Sequence, residues 1–247
     1  VLNDETQLKY AVVIPARYQS SRFPGKPLAD IIGKPMIQHV WERCCLAVDS
    51  SLVYVATDSE KIQEVAIGFG ANVIMTSSNC LTGTDRLAEA NQQLDCDFII
   101  NVQGDEPLIE PKDVQAVIDE YLKNPGVIVN AMCKIKTDEE FRSFTVPKVV
   151  TSKTGRLLYM SRSPIPITKS NDFEFAYKQV CIYAFSRELL KFFYLQQHKT
   201  TIENVEDIEI LRFIENDIPV KMIEVKSSSI AVDVPEDIYK VINELKR

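Results

Sequence analysis

Tyr10 to Ile14 form an apolar run too short for a helix and closed by Pro15, which reads as a strand buried on both faces, as in a parallel sheet. The same pattern recurs downstream. Met36, Ile37, Val40 and Trp41 trace one face of a helix that starts at Pro35, tolerated in a first turn, and runs to about Val48. Leu52 to Thr57 is a second buried strand, closed by Asp58 and Ser59 as turn and cap. Ile62, Val65, Ala66 and Phe69 then give an amphipathic helix ended by Gly70, and Ala71 to Met75 supplies a third strand. Strands and helices in alternation specify βαβ units, hence an α/β fold with a mostly parallel central sheet and helices on both faces.

The pattern continues with a helix opening at Thr82-Gly83-Thr84-Asp85-Arg86, whose inner face is Leu87, Ala90 and Leu94, and with Phe98 to Val102 as a central strand. Pro111 starts a helix with Val114, Val117, Ile118, Tyr121 and Leu122 on one face, stopped at Asn124-Pro125-Gly126, before a strand from Val127 to Lys134. The strands then become shorter and less regular, at Lys148 to Thr151 and Leu157 to Met160, with Pro164 and Pro166 following. A smaller inserted lobe is therefore expected at about 135–200. A strand from Tyr177 to Phe185 and a helix from Arg187 to about Leu195 come next. Glu203 to Phe213 reads as one helix that buries Val205, Ile208 and Leu211, and Val220 to Val225 reads as a late strand. A closing helix carries Ile238, Val241, Ile242 and Leu245 on one face. No repeat, low-complexity segment or linker divides the chain, so residues 1–247 are read as one domain with an embedded lobe.

Composition narrows the function. The net charge of −7 and pI near 5.1 argue against a protein that coats nucleic acid. No run of 18 apolar residues offers a membrane span, and the polar, acidic start VLNDETQLKY lacks the pattern of a signal peptide, so a cytoplasmic location is expected. Six cysteines without a CxxC pair read as unpaired structural thiols, and two distant histidines, His39 and His198, argue against a zinc site or a Ser-His-Asp triad.

Chemistry concentrates beyond strand ends. After the first strand, Arg17, Arg22 and Lys26 fall within ten residues, with Ser20, Ser21 and Gly25 between them. In open α/β sheets ligands sit there, although a solvated basic loop has the same composition. The run fits neither GxxxxGK[ST] nor GxGxxG. Thr82 to Asp85 offers free amides at a helix start, which suits an anion and equally suits an ordinary capping turn. Asp105 follows the central strand in Gln103-Gly104-Asp105-Glu106-Pro107, a setting that suits either a rigid Mg²⁺ ligand or a tight turn capped by aspartate. Asp233, between Val232 and a closing helix, reads on its own as a capping turn.

PARYQSSRFPGKPL, VQGDEPLI, TGTDR and VDVPED together resemble the 3-deoxy-manno-octulosonate (Kdo) cytidylyltransferases, the CMP-Kdo synthetases, over nearly the whole chain. The resemblance implies a Rossmann-like nucleotidyltransferase fold and transfer of CMP from CTP to an ulosonic acid, with release of pyrophosphate, for lipopolysaccharide or capsule synthesis. It implies that Arg17, Arg22 and Lys26 hold the triphosphate and that Asp105 and Asp233 hold Mg²⁺. It places Ala16, Thr76, Ser78, Gly83 and Gln103 in the nucleotide site. Arg86, Arg162, Gln179, Tyr183, Glu209 and Ile210 fall at sugar positions in the 135–200 lobe and beside it, and a homodimer is implied. Val234 stands for the usual threonine beside Asp233, and two polar sugar contacts depart from the family pattern: Gln179 stands for the usual histidine and Ile210 for the usual glutamine. Kdo is the substrate the resemblance implies, and these two departures set 8-amino-Kdo or another ulosonic acid beside it as alternatives. A catalytically silent nucleotide-binding relative is the reading from another class, and the joint presence of the three cations and two aspartates speaks against it.

Overall fold

The computed structural model describes residues 8–20, 22–226 and 229–246. Ser21, expected among the hydroxyls of the basic loop, and the acidic residues 1–7 lie outside the described residues.

In chain order the elements are β1 (Tyr10–Ala16), β2 (Asp30–Ile31), β3 (Lys34–Pro35), α1 (Met36–Ala47), β4 (Val53–Thr57), α2 (Glu60–Gly68), β5 (Asn72–Met75), α3 (Gly83–Ala90), β6 (Phe98–Val102), α4 (Pro111–Lys123), β7 (Ile128–Lys134), α5 (Asp138–Arg142), β8 (Lys148–Thr151), β9 (Leu157–Ser161), β10 (Tyr177–Ser186), α6 (Arg187–Leu195), α7 (Thr201–Glu206), α8 (Leu211–Glu215), β11 (Val220–Glu224) and α9 (Asp237–Leu245). The main sheet has the order β11-β7-β10-β6-β1-β4-β5. β1 runs parallel to β4 and β6, β4 to β5, and β11 to β7, whereas β10 runs antiparallel between β6 and β7.

Both faces of the sheet are covered, which is why its strands read as continuous apolar runs. Side chains alternate across a strand, so Val12 and Ile14 enter one core with Ile37 and Val40 of α1, Ile62 of α2 and Val117 of α4. Ala11 and Val13 enter the opposite core with Leu87 of α3, Phe193 of α6 and Phe213 of α8. His39 is a structural residue, its Nε2 lying 2.8 Å from Ile31 O, and the six cysteines are free.

The stretch 135–200 is not set apart from the sheet. β10 is an interior strand, and β8 pairs with its first two residues and carries β9 as an antiparallel annex. The expected helix from Glu203 to Phe213 is two short helices, α7 and α8, with Asp207 between them at φ 51°. The cause is Arg162, whose guanidinium takes the carbonyls of Glu206 (2.6 Å) and Asp207 (3.0 Å) that a continuous helix would use for its next turn. Val205, expected in the core, is 79% exposed as a result, and Leu122 of α4 also faces outward. Arg212 of α8 then ties the broken segment down. It is wholly buried, forks onto Glu203 at 2.7 Å through both Nε and Nη2, and reaches Asp85 of α3 at 3.1 Å.

Candidate active site

β1 and β6 are parallel neighbours, so the loops leaving their carboxyl ends start side by side. Gly104 permits the close approach, because a Cβ there would lie 2.7 Å from the carbonyl oxygen of Pro15. Asp105 follows directly. A third segment arrives from the far end of the chain, where the Val232 amide donates to Asp105 O at 2.9 Å and sets Asp233 beside that loop. Asp233 is not spent as a cap. Asp237 does that work, its Oδ2 accepting from the amides of Asp233 (3.0 Å) and Val234 (3.2 Å).

The basic loop closes over these carboxylates. Gly25, at φ 72°, donates its amide to Tyr18 O at 2.8 Å and turns the chain so that Lys26 points back to the sheet edge. Lys26 Nζ lies 2.8 Å from Asp105 Oδ2 and 2.7 Å from Val232 O, and Arg22 Nη2 lies 3.2 Å from Asp233 Oδ1. Arg17 is exposed and forms no ion pair among the described residues. Two cations thus rest on two carboxylates, and each carboxylate keeps one oxygen without a partner among the described residues.

All five of these groups line one cleft of about 760 Å³, a volume suited to a nucleotide and a sugar. Ala16, Gly83 and Gln103 line it, as do Arg162, Gln179, Tyr183 and Glu209. Three expected residues are not placed to act there. Thr76 and Ser78 do not line the cleft, and Thr76 Oγ1 instead accepts from Arg86 at 2.5 Å. Ile210 is 2% exposed in the core with Ile208, Leu211 and Phe213, so an apolar residue is what its surroundings require and no sugar contact is lost through it. Arg86 borders the cleft, but it is 2% exposed and its guanidinium is held by Asp58 at 3.0 Å, so its charge is already matched. Arg162 has only carbonyl acceptors, those of Glu206, Asp207 and Phe144 (3.0 Å), and remains the stronger candidate to face an acid.

The amino terminus of α3, read as an anion site, is filled by the chain's own Glu209, whose two oxygens accept from the amides of Gly83 (3.1 Å) and Thr84 (2.7 Å). Burial raises the Glu209 carboxyl above its ordinary 4.5, and burial likewise pushes the Tyr183 phenol well above 10.0. Further charged groups line the cleft with no site role legible in the sequence, apart from Lys178 as a side chain able to reach the sugar. Lys178 pairs with Glu140, and Lys199 pairs with Asp207 at 2.5 Å; nothing in the sequence distinguishes the other three from surface charges.

An open, mostly parallel sheet with a basic loop and two carboxylates at its carboxyl edge defines the chain as an α/β nucleotidyltransferase. A cytidylyltransferase from Leptospira borgpetersenii, 19% identical, shares the fold at a TM-score of 0.64 over 97% of this chain and 87% of its own. A family model described as cytidylyltransferase matches residues 11–225. The 3-deoxy-manno-octulosonate cytidylyltransferase of Geobacter metallireducens is 43% identical, over 97% of this chain and 99% of its own length. A CMP:2-keto-3-deoxy-manno-octonic acid synthetase solved in complex with CTP is 38% identical, with a TM-score of 0.88 over 96% of this chain and 98% of that one. The chain belongs to the 3-deoxy-manno-octulosonate cytidylyltransferase family.

Proposed function

We propose that this chain transfers the cytidylyl group of CTP to the anomeric hydroxyl of 3-deoxy-manno-octulosonate, a step serving lipopolysaccharide or capsule synthesis. The observation that carries the reading is the convergence of Arg17, Arg22, Lys26, Asp105 and Asp233 on one cleft, in a chain similar over its length to a synthetase solved with CTP. The sugar hydroxyl attacks the α-phosphorus, the new C–O–P bond forms in line, and the bond to the bridging oxygen breaks to release pyrophosphate. The hydroxyl proton leaves to solvent, and no nucleophile from the protein is needed. Positioning and charge neutralisation are the protein's contribution. Arg22 and Lys26 exchange their carboxylate partners for triphosphate oxygens, Arg17 adds a cation with no partner to lose, and Arg162 faces the acid's carboxylate.

Mg²⁺ belongs to the same proposal. Among the described residues Asp105 and Asp233 each use one carboxylate oxygen on a cation and keep the other, a hard donor, without a partner, which suits a cation whose remaining positions are taken by phosphate. When bound there, the ion supplies charge neutralisation at the phosphate and favours the ionised sugar hydroxyl. Asp105→Ala is expected to abolish turnover and to remove Mn²⁺ binding measured by electron paramagnetic resonance; undiminished Mn²⁺ binding would remove Asp105 from the site.

No helix among the described residues is long and apolar enough to cross a membrane. A cytoplasmic location is proposed, supported by the free cysteines, which suit a reducing compartment. A homodimer is proposed too, supported by the exposed Phe144, Leu158 and Phe175 of the 135–200 stretch. Pyrophosphate release from CTP that depends on added Kdo tests the function. Release without acid, or none with any ulosonic acid, contradicts it.

A further inference from the structure

Gln179 sits just before an irregularity in β10 that two buried polar groups hold in place. β10 and β7 pair in register up to Val180 opposite Ala131, then slip so that Tyr183 stands opposite Asn130. Asn130 is wholly buried in a strand, IVNAMCK, whose other residues up to Cys133 are apolar. Its Nδ2 donates to the carbonyls of Val180 (3.0 Å) and Ile182 (2.9 Å), and two acceptors on one side leave the amide a single orientation. Oδ1 must then face Gln179, whose Nε2 donates to it at 3.1 Å. The Gln179 amide is fixed in turn, amine end toward Asn130. Gln179 lines the cleft, and among the described residues no donor reaches its Oε1. On the other side of the slip, Glu106 accepts from the Cys181 amide at 3.2 Å, and the Gln103 amide donates to Cys181 O at 3.2 Å. The strand is thereby pinned to the loop that carries Asp105.

We infer that Gln179 presents a fixed hydrogen-bond acceptor to the sugar, oriented by Asn130 as a positioning residue, and so selects acids that carry a donor, hydroxyl or amino, at the carbon it meets. The inference rests on the proposed function and refines its substrate. A histidine at this position would be able to donate or accept according to its tautomer; the glutamine held by Asn130 is restricted to accepting.

The test uses the full chain and sugar acids in which one hydroxyl at a time is replaced by hydrogen, fluorine or an amino group. For the parent, Gln179→Met and Asn130→Ser, kcat/KM for the acid and KM for CTP are measured separately. At the carbon meeting Gln179, the parent should lose about 5- to 150-fold on both the deoxy and the fluoro acid, because fluorine cannot donate, and should keep the amino acid analogue. Gln179→Met should lose a similar factor on the unmodified acid, respond alike to all three analogues, and keep its KM for CTP. Asn130→Ser frees the amide to turn, so the gap between fluoro and amino analogues should shrink, which a merely structural role would not cause. Gln179→Met that matches the parent on the unmodified acid would overturn the inference, as would a parent that accepts every fluoro analogue as well as the unmodified acid. No pyrophosphate release by the parent with any acid would overturn the proposed function along with it.

Discussion

Lys26 bridges two segments more than 100 residues apart, holding Asp105 by its carboxylate and the 232–233 loop by Val232 O. A triphosphate entering the cleft competes for that ammonium. Lys26→Met is therefore expected to raise the KM for CTP by about 10- to 150-fold, the range of a charge-assisted hydrogen bond, with the KM for the sugar acid nearly unchanged. Initial rates over a grid of both substrates check this, and equal effects on the two KM values would contradict it. Glu106, next to Asp105, gives a pH prediction. Burial, then the charge of Asp105, raises its carboxyl above the ordinary 4.5, so the folded chain binds this proton more tightly than the unfolded one. Its stabilising contribution is complete below pH 4.5 and is lost as pH rises through the folded value. Glu106→Gln keeps an acceptor for the Cys181 amide without a charge to bury. Its Tm relative to the parent should rise from pH 4.5 toward neutrality, and a difference that stays flat with pH would show that Glu106 is not held in this way.

Among elements, the β1 and β6 strand ends set the spacing of the site, and Gly104 sets the spacing of those ends. Gly104→Ala puts a methyl 2.7 Å from a backbone oxygen that cannot rotate away, so it should cost about 1 to 3 kcal/mol in urea unfolding and reduce activity more than it reduces stability. Full activity in the folded variant would show that the Asp105 loop tolerates displacement. The elements themselves were mostly legible. Phe98–Val102 and Arg187–Leu195 fall where apolar periodicity puts them, because propensity, caps and burial agree there. The exception, Glu203 to Phe213, is helical in pattern and broken by Arg162, a partner 44 residues away. The site divides in the same manner. Arg17, Arg22, Lys26 and Asp105 stand just past strand ends, where the sheet's topology gathers ligand-binding groups, whereas Asp233 reads as a capping turn until Val232 is seen to bind Asp105 O. Arg86 reads as a free cation until Asp58, 28 residues earlier, is seen to hold it, and Ile210 reads as a missing sugar contact until its packing shows a core position. Asn130 and Glu106 did leave a signal: a polar residue within a buried apolar strand, and a second carboxylate beside the first.

For the molecule as a whole, one sheet carries both the basic loop with its two carboxylates and the β10 side of the cleft, with α7 and α8 held against α3 by the buried Arg212 fork. The sheet brings residues near both ends of the chain, Arg17 and Asp233, to a common cleft, which is what direct transfer between two bound substrates requires. The central claim is that the sugar's own hydroxyl is the nucleophile, and the origin of the bridging oxygen decides it. With the sugar acid labelled at its anomeric oxygen with ¹⁸O, and CTP in the presence of Mg²⁺, the account predicts that ³¹P NMR and mass spectrometry find the label in the phosphodiester of the CMP-sugar and none in the pyrophosphate. Label in pyrophosphate, or CMP formed with no labelled CMP-sugar, would contradict it.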